Sequence, residues 1–264
     1  MSDWLGLTDK KIIVTGGSSG IGLAIVQELL EQGAYVINAD LKAGSFTHEN
    51  LQFVPTNISS KIEVDTLVTA ALNNWNTIDA LVNNAGINLP ALMVDMQQKK
   101  YEMTEEQFDR MVAINQKGVF LTSQAVSRIL MDKGAGVVIN ISSECGLEGS
   151  EGQSVYAATK AAINSFTRSW AKEWGRYGVR VVGVAPGIME ATGLRTFEYE
   201  RSLAYTRNLT VEQLREGYGN VKTIPLGRSG KLTEVSDFVC YLISDRASYI
   251  SGVTINIAGG KTRG

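Results

Sequence analysis

Seven short apolar runs punctuate the chain, at Lys11–Thr15, Tyr35–Ala39, Leu51–Val54, Ala80–Val82, Val137–Ile141, Arg180–Ala185 and Thr254–Ile257. Their Ile and Val positions run on with little alternation, the pattern of strands covered on both faces. Segments of helical length separate them, at Ile21–Gln32, Lys61–Trp75, Glu105–Met131, Val155–Tyr177 and Glu234–Ile243, with a Thr104-x-x-Gln107 capping box ahead of the third. Strand and helix in alternation predict a single-domain, doubly wound α/β fold with a seven-stranded parallel sheet and helices on both faces. Between about 193 and 228 the rhythm breaks. That stretch is rich in Arg, Glu and Tyr and holds a second capping box, Thr210-x-x-Gln213, so it reads as a small helical insertion over the sheet edge.

Composition narrows the function classes. Hydrophobic residues make up 44% of the 264 positions and charged residues 20%, which suits one packed domain over residues 1–264. The 25 basic and 27 acidic side chains are interspersed and leave a net charge of −2, so no basic face for nucleic acid is expected. No run approaches the ~20 apolar residues of a membrane span and no basic-then-apolar leader opens the chain, which predicts a cytoplasmic protein without a membrane partner. Two cysteines, Cys145 and Cys240, and one histidine cannot supply an ordinary zinc set, and no metal is expected. Both cysteines read as buried thiols. His48 lies in a polar loop, so proton transfer near neutral pH must fall to other groups.

Candidate chemistry begins directly after the first strand, in Thr15-Gly-Gly-Ser-Ser-Gly-Ile-Gly22. Glycines there allow a tight turn, and backbone N–H groups at a helix N-terminus suit a pyrophosphate, which makes Gly16, Ser18, Ser19, Gly20, Ile21 and Gly22 candidate dinucleotide contacts in a Rossmann-type fold. Asp40 ends the second strand, 18 residues beyond Gly22. A carboxylate at that place bonds ribose hydroxyls and repels a 2′-phosphate, so NAD is expected in preference to NADP. Asn83-Asn-Ala-Gly86 ends the fourth strand on the same sheet edge, adding Asn83, Ala85 and Gly86.

Tyr156 and Lys160 stand four residues apart, one above the other on a helix face, where an ammonium can favour the phenolate. A second such pair, Tyr218 and Lys222, lacks what the first has: Ser143, 13 residues earlier, at the end of a strand. A hydroxyl there suits the negative charge that develops on a substrate oxygen during hydride transfer.

With these motifs in order, together with Asn115 and Pro186-Gly187, the chain resembles the short-chain dehydrogenase/reductase family over essentially its whole length. The resemblance implies a general acid/base role for Tyr156, substrate positioning by Ser143, a nicotinamide-ribose contact for Lys160 and a water-holding role for Asn115. It adds Asn57, Ile58, Pro186, Gly187 and Ile188 to the cofactor contacts. Two departures stand out: Asn57 replaces a usual aspartate, and the threonine after Pro186-Gly187 comes one place late, at Thr192. Within the family, Ile114–Gly118, Ser143–Gln153, Gly193–Thr196, Thr206–Tyr218 and Ile257–Gly264 resemble members acting on phosphorylated sugar alcohols. This implies a sugar-phosphate partner, NAD-dependent interconversion of D-sorbitol 6-phosphate and D-fructose 6-phosphate, and a homotetramer. Arg195 and then Arg207 are the candidate phosphate ligands, because a guanidinium fork matches phosphate oxygens, with Lys117, Lys261 and Arg263 behind them. Glu144 and Glu148 are candidates for sugar hydroxyls. The alternatives are a reductase of a 3-ketoacyl thioester or an unphosphorylated polyol, and a non-catalytic NAD-binding regulator.

Overall fold

A computed structural model describes residues 3–220 and 222–261, so Arg263 lies outside the described residues. Its strands are β1 (Lys11–Thr15), β2 (Tyr35–Asp40), β3 (Leu51–Pro55), β4 (Ala80–Asn83), β5 (Gly136–Ile141), β6 (Val179–Pro186) and β7 (Thr254–Ile257). All pair in parallel in the order 3-2-1-4-5-6-7. Of the sequence-predicted strands, Lys11–Thr15 and Thr254–Ile257 coincide with β1 and β7, and the other five fall short by one residue at an end, Arg180–Ala185 at both.

Successive strand side chains point to opposite faces, and each face has its own helices. Ile12 and Val14 of β1 pack toward α1 (Gly20–Glu31), which presents Ile25, Val26 and Leu29, and toward Val235 and Val239 of a late helix, Leu232–Ile243. Ile13 faces the other way, into a cluster with Leu67 of α2 (Lys61–Trp75) and with Leu130 and Ile163 of two further helices. Double coverage is the physical reason the strands read as unbroken apolar runs.

The predicted helix over Glu105–Met131 is three segments: α3 (Glu105–Met111), a π-helical stretch at Val112–Gly118, and α4 (Val119–Lys133). The capping box at Thr104 and Gln107 is formed. A one-turn helix, α5 (Cys145–Glu148), follows β5 and was not anticipated; α6 (Ser154–Trp174) then carries Tyr156 and Lys160. Buried amides and hydroxyls tie this face together. Asn83 Nδ2 donates to Ser123 Oγ (2.8 Å) and to Asn140 Oδ1 (2.9 Å), and Asn140 Nδ2 donates to Thr167 Oγ1 (3.0 Å), so β4 and β5 are bonded to α4 and α6.

The stretch from 193 to 228 holds α7 (Phe197–Thr206) and α8 (Val211–Gly217), joined through a small core of Leu203, Ala204 and Leu214. Helix α9 (Leu232–Ile243) follows. Polar contacts fasten α7 to the loop after β4: the Tyr205 hydroxyl donates to both carboxylate oxygens of Asp95 (3.0 and 3.1 Å), and its ring stacks on Tyr101 at 4.0 Å. Among the described residues no helix is long and apolar enough to cross a membrane.

Candidate active site

A parallel sheet that reverses direction opens a crevice at the carboxyl ends of its strands. Here the reversal falls between β1 and β4. One continuous cleft starts there, running from Asp40, Asn57 and Ile58, past Gly16, Ser19, Gly20, Ile21 and Gly22, to Ala85, Gly86, Ser143, Tyr156, Lys160, Pro186 and Gly187.

Its first half is built from backbone. Gly16 has φ +66°, and a Cβ on it would stand 2.8 Å from Ala85 Cα; one on Gly22 would meet the Gly16 carbonyl oxygen at 2.1 Å. Only glycine lets the β1 turn, the α1 N-terminus and the loop after β4 come this close. Ser19, the N-cap of α1, makes no capping bond with its side chain, and the first turn carries no acid. The positive end of the helix dipole and its N–H groups therefore face the cleft without a capping side chain, as an anionic pyrophosphate requires. Asp40 is fixed by two backbone donors, Leu41 N–H (2.7 Å) and Ser18 N–H (3.1 Å). Ser18 braces the loop, its hydroxyl donating to the Lys42 carbonyl (2.6 Å) and accepting from Asn38 (2.9 Å). Ser18, Asn83 and Ile188 do not line the cleft. Asn83 is buried in the amide network already described, and Asn84 takes the cleft side while bonding the Thr15 and Gly16 carbonyls (3.0 Å each). The Asn57 side-chain oxygen is occupied by the Ser59 hydroxyl (2.7 Å). Thr192 reaches the cleft in spite of its displaced position, opposite Gly20.

The second half holds the chemistry. Ser143 ends the β5 turn, accepts the Cys145 N–H (3.2 Å) and hydrogen-bonds the Tyr156 phenol. Lys160 is 5% exposed; its ammonium donates to the Ile141 carbonyl (2.7 Å) and lies 5.8 Å from the centre of the Tyr156 ring. Burial draws Lys160 down to about 8. Tyr156 departs from the expected direction. Burial pushes its phenol above the ordinary value, and the Ser143 hydrogen bond offsets this only in part. Lys160, whose ammonium lies 5.8 Å from the ring centre, does not reverse the sign, because burial is the larger effect. Asn115 is fully buried in the π-helical stretch, where its side chain accepts from Ile87 N–H (2.8 Å) and donates to the Ile87 carbonyl (2.8 Å) and to Thr159 (3.2 Å).

Beside Tyr156 the insertion brings together residues far apart in sequence. Tyr199 of α7 accepts from Gln153 Nε2 (3.2 Å), and Arg207 donates to Ser150 Oγ (2.9 Å) and Gln153 Oε1 (3.3 Å). Arg195 bonds the Met189 carbonyl and stacks on the Tyr218 ring at 3.9 Å. Burial raises Tyr199 to about 12 against the pull of both Arg207 and Arg195, so both guanidinium groups act on this one phenol. Tyr218, half of the second Tyr/Lys pair, is the platform for Arg195. Asn88, Gln153 and Tyr199 were not singled out from sequence; a polar residue three places before Tyr156 was the only available hint. Lys117 is exposed on the π-helical stretch, and Arg201 pairs with Glu198 at the surface (2.5 Å). Glu144 and Glu148 both face Lys261, at 2.8 and 3.3 Å. Cys240 is buried, but Cys145 is only partly so, and both are free thiols. His48 is exposed and accepts the Asn50 N–H (3.1 Å) in its own turn.

A crevice at the strand reversal, an uncapped helix N-terminus and a Ser/Tyr/Lys cluster define an oxidoreductase site. The chain belongs to the short-chain dehydrogenase family, whose model matches residues 10–202. It is 63% identical, over the full length of both chains, to the sorbitol-6-phosphate 2-dehydrogenase of Klebsiella pneumoniae. It is 34% identical to a 3-oxoacyl-[acyl-carrier-protein] reductase of Thermotoga maritima, covering 96% of this chain and 98% of that one. Among solved structures, 3-ketoacyl-(acyl-carrier-protein) reductase from Brucella melitensis, complexed with NADH, superposes with a TM-score of 0.82 at 27% identity, covering 98% of this chain and all of that one.

Proposed function

We propose that this dehydrogenase interconverts D-sorbitol 6-phosphate and D-fructose 6-phosphate with NAD. The 63% identity that runs the whole length of the Klebsiella enzyme carries the reading, since it includes the insertion as well as the cofactor cleft. The cleft suits a dinucleotide: the bare α1 N-terminus would hold the pyrophosphate, Asp40 the adenosine ribose, and Lys160 the ribose next to the reacting ring. When bound, oxidised NAD supplies the hydride acceptor and a positive charge that favours the phenolate. Ser143 then positions the C2 oxygen and Tyr156 takes its proton in the oxidation direction, returning it in the reduction.

The phosphate is assigned to Arg195 and Arg207. Each spends part of its fork on a protein oxygen and flanks Tyr199, beyond Tyr156 from the cofactor cleft. The protein is read as cytoplasmic and, as the family resemblance implies, as a homotetramer.

The test is a 340 nm assay of sorbitol 6-phosphate and sorbitol, each with NAD and NADP, on the wild type, Arg195→Ala and Arg207→Ala. Each arginine variant is expected to raise KM for sorbitol 6-phosphate by roughly tenfold or more, one charge-assisted bond being worth about 1.5–3 kcal/mol, with little effect on sorbitol. A wild type that prefers sorbitol refutes the substrate. Two variants that treat both substrates as the wild type does refute the phosphate assignment.

A further inference from the structure

The chain's last described residues turn back onto the catalytic loop. Gly187 N–H donates to the Ile257 carbonyl (2.8 Å) at the end of β7, and beyond it Gly259 (φ +60°) and Gly260 (φ +84°) reverse the backbone against Ile224 and Pro225. A side chain at either glycine would be strained, and one at Gly259 would meet Ile224 at 2.9 Å. This turn delivers Lys261. Its side chain is only 24% exposed, and its ammonium bonds Glu144 at 2.8 Å and Glu148 at 3.3 Å. Glu144 follows Ser143 directly and its side chain is 8% exposed; its N–H donates to the Pro186 carbonyl (3.0 Å), and its carboxylate lies against Gly187. A single ammonium thus ties the catalytic serine's loop, the Pro186-Gly187 loop and the C-terminal segment together.

We propose that Lys261 is a positioning residue for the reaction: it clamps the loop that begins at Ser143 and balances a buried carboxylate one residue from the reacting oxygen. The inference rests on Ser143 and Tyr156 carrying the reaction. The charge matters because a buried carboxylate carries a desolvation cost that a bonded ammonium offsets, and because its charge opposes ionisation of neighbouring acids. The groups that face Tyr156 are Ser143, Glu144 and Cys145 from the loop after β5, Tyr199 from α7 and Lys160 from its own helix. Glu144 disfavours the phenolate, and Lys261 offsets that influence.

The experiment compares wild type, Lys261→Met, Lys261→Arg and Lys261→Met/Glu144→Gln as full chains, each checked for folding by its thermal transition. Oxidation of sorbitol 6-phosphate is followed across pH, and NADH binding is titrated separately. Lys261→Met is expected to lose roughly tenfold or more in kcat through loop misplacement. NADH affinity should stay within about threefold, and the midpoint of the kcat rise should move up by about half a unit to one unit. Lys261→Arg should recover most of kcat, and the double variant should return the midpoint to its wild-type place. Wild-type kcat in Lys261→Met at every pH overturns the proposal. So does a loss of kcat with an unmoved midpoint and no recovery in Lys261→Arg, which marks a merely structural contact. Failure of the underlying reading has a different signature, a Tyr156→Phe enzyme that still turns over.

Discussion

Removing the Lys160 ammonium should make the free protein more stable. Lys160 is 5% exposed, and burial lowers its pKa from 10.5 to about 8. At ~1.4 kcal/mol per unit, holding it charged at pH 7 costs the fold about 3 kcal/mol. Lys160→Met abolishes that cost and keeps the apolar stem, but it leaves the Ile141 carbonyl without its donor, a loss of about 1–3 kcal/mol. A net gain of up to about 2 kcal/mol follows, or up to roughly 4–8 °C in Tm for a domain of this size. The sign fixes the pH window. Because the folded pKa lies below the unfolded one, the penalty is fully present below pH 8 and disappears as pH rises from about 8 to 10.5, so stability rises across that interval. Urea unfolding of wild type and Lys160→Met at pH 7 and pH 10, without cofactor, measures both. The variant should be the more stable at pH 7, with the gap closing at pH 10, and its turnover should be almost gone. A variant that unfolds at lower urea than wild type at pH 7, or a gap that does not depend on pH, refutes the reasoning.

Tyr156→Phe should cost about 10²–10⁴ in kcat with NADH affinity nearly unchanged, since the phenol moves a proton and does not anchor the dinucleotide; more than about a tenth of the activity remaining counts against this. Asp40→Ala should narrow the preference for NAD over NADP, read as the ratio of kcat/KM values, because the variant loses both the ribose hydrogen bonds and the repulsion of a 2′-phosphate. An unmoved ratio would leave Asp40 as a turn residue.

Sheet, helices and glycine loop were legible in sequence because each rests on local regularities: two-sided burial writes unbroken Val and Ile runs, and a tight turn against a helix N-terminus writes glycines. The break in the helix at Val112–Gly118 was not legible. Nothing in Val-Ala-Ile-Asn-Gln-Lys-Gly marks a π-turn; the buried bonds between Asn115 and the Ile87 backbone, 28 residues away, accompany it. The direction of the Tyr156 shift was missed for a related reason. Spacing puts Lys160 one turn away, but only tertiary structure shows that the ammonium is bonded to Ile141 and that burial outweighs it. Likewise the cluster beside Tyr156 draws on Asn88, Gln153, Tyr199 and Arg207, which share no sequence period, while Glu144 and Glu148 turned out to face Lys261.

The α7–α8 unit is held to the sheet mainly through polar fastenings, with a core of its own of only three buried residues. Such a unit opens at far lower free energy than the sheet beneath it. One of its fastenings, Arg207, is also proposed as a phosphate ligand. On that proposal a phosphorylated polyol would bond the α7–α8 unit through Arg207 and the body of the enzyme through Ser143 and Tyr156, adding its own binding energy to the closed population. Its unphosphorylated counterpart would leave that population where the protein alone sets it. Selectivity would then arise partly as gating: the phosphate read by how long the door stays shut, as well as by how tightly the ligand is held.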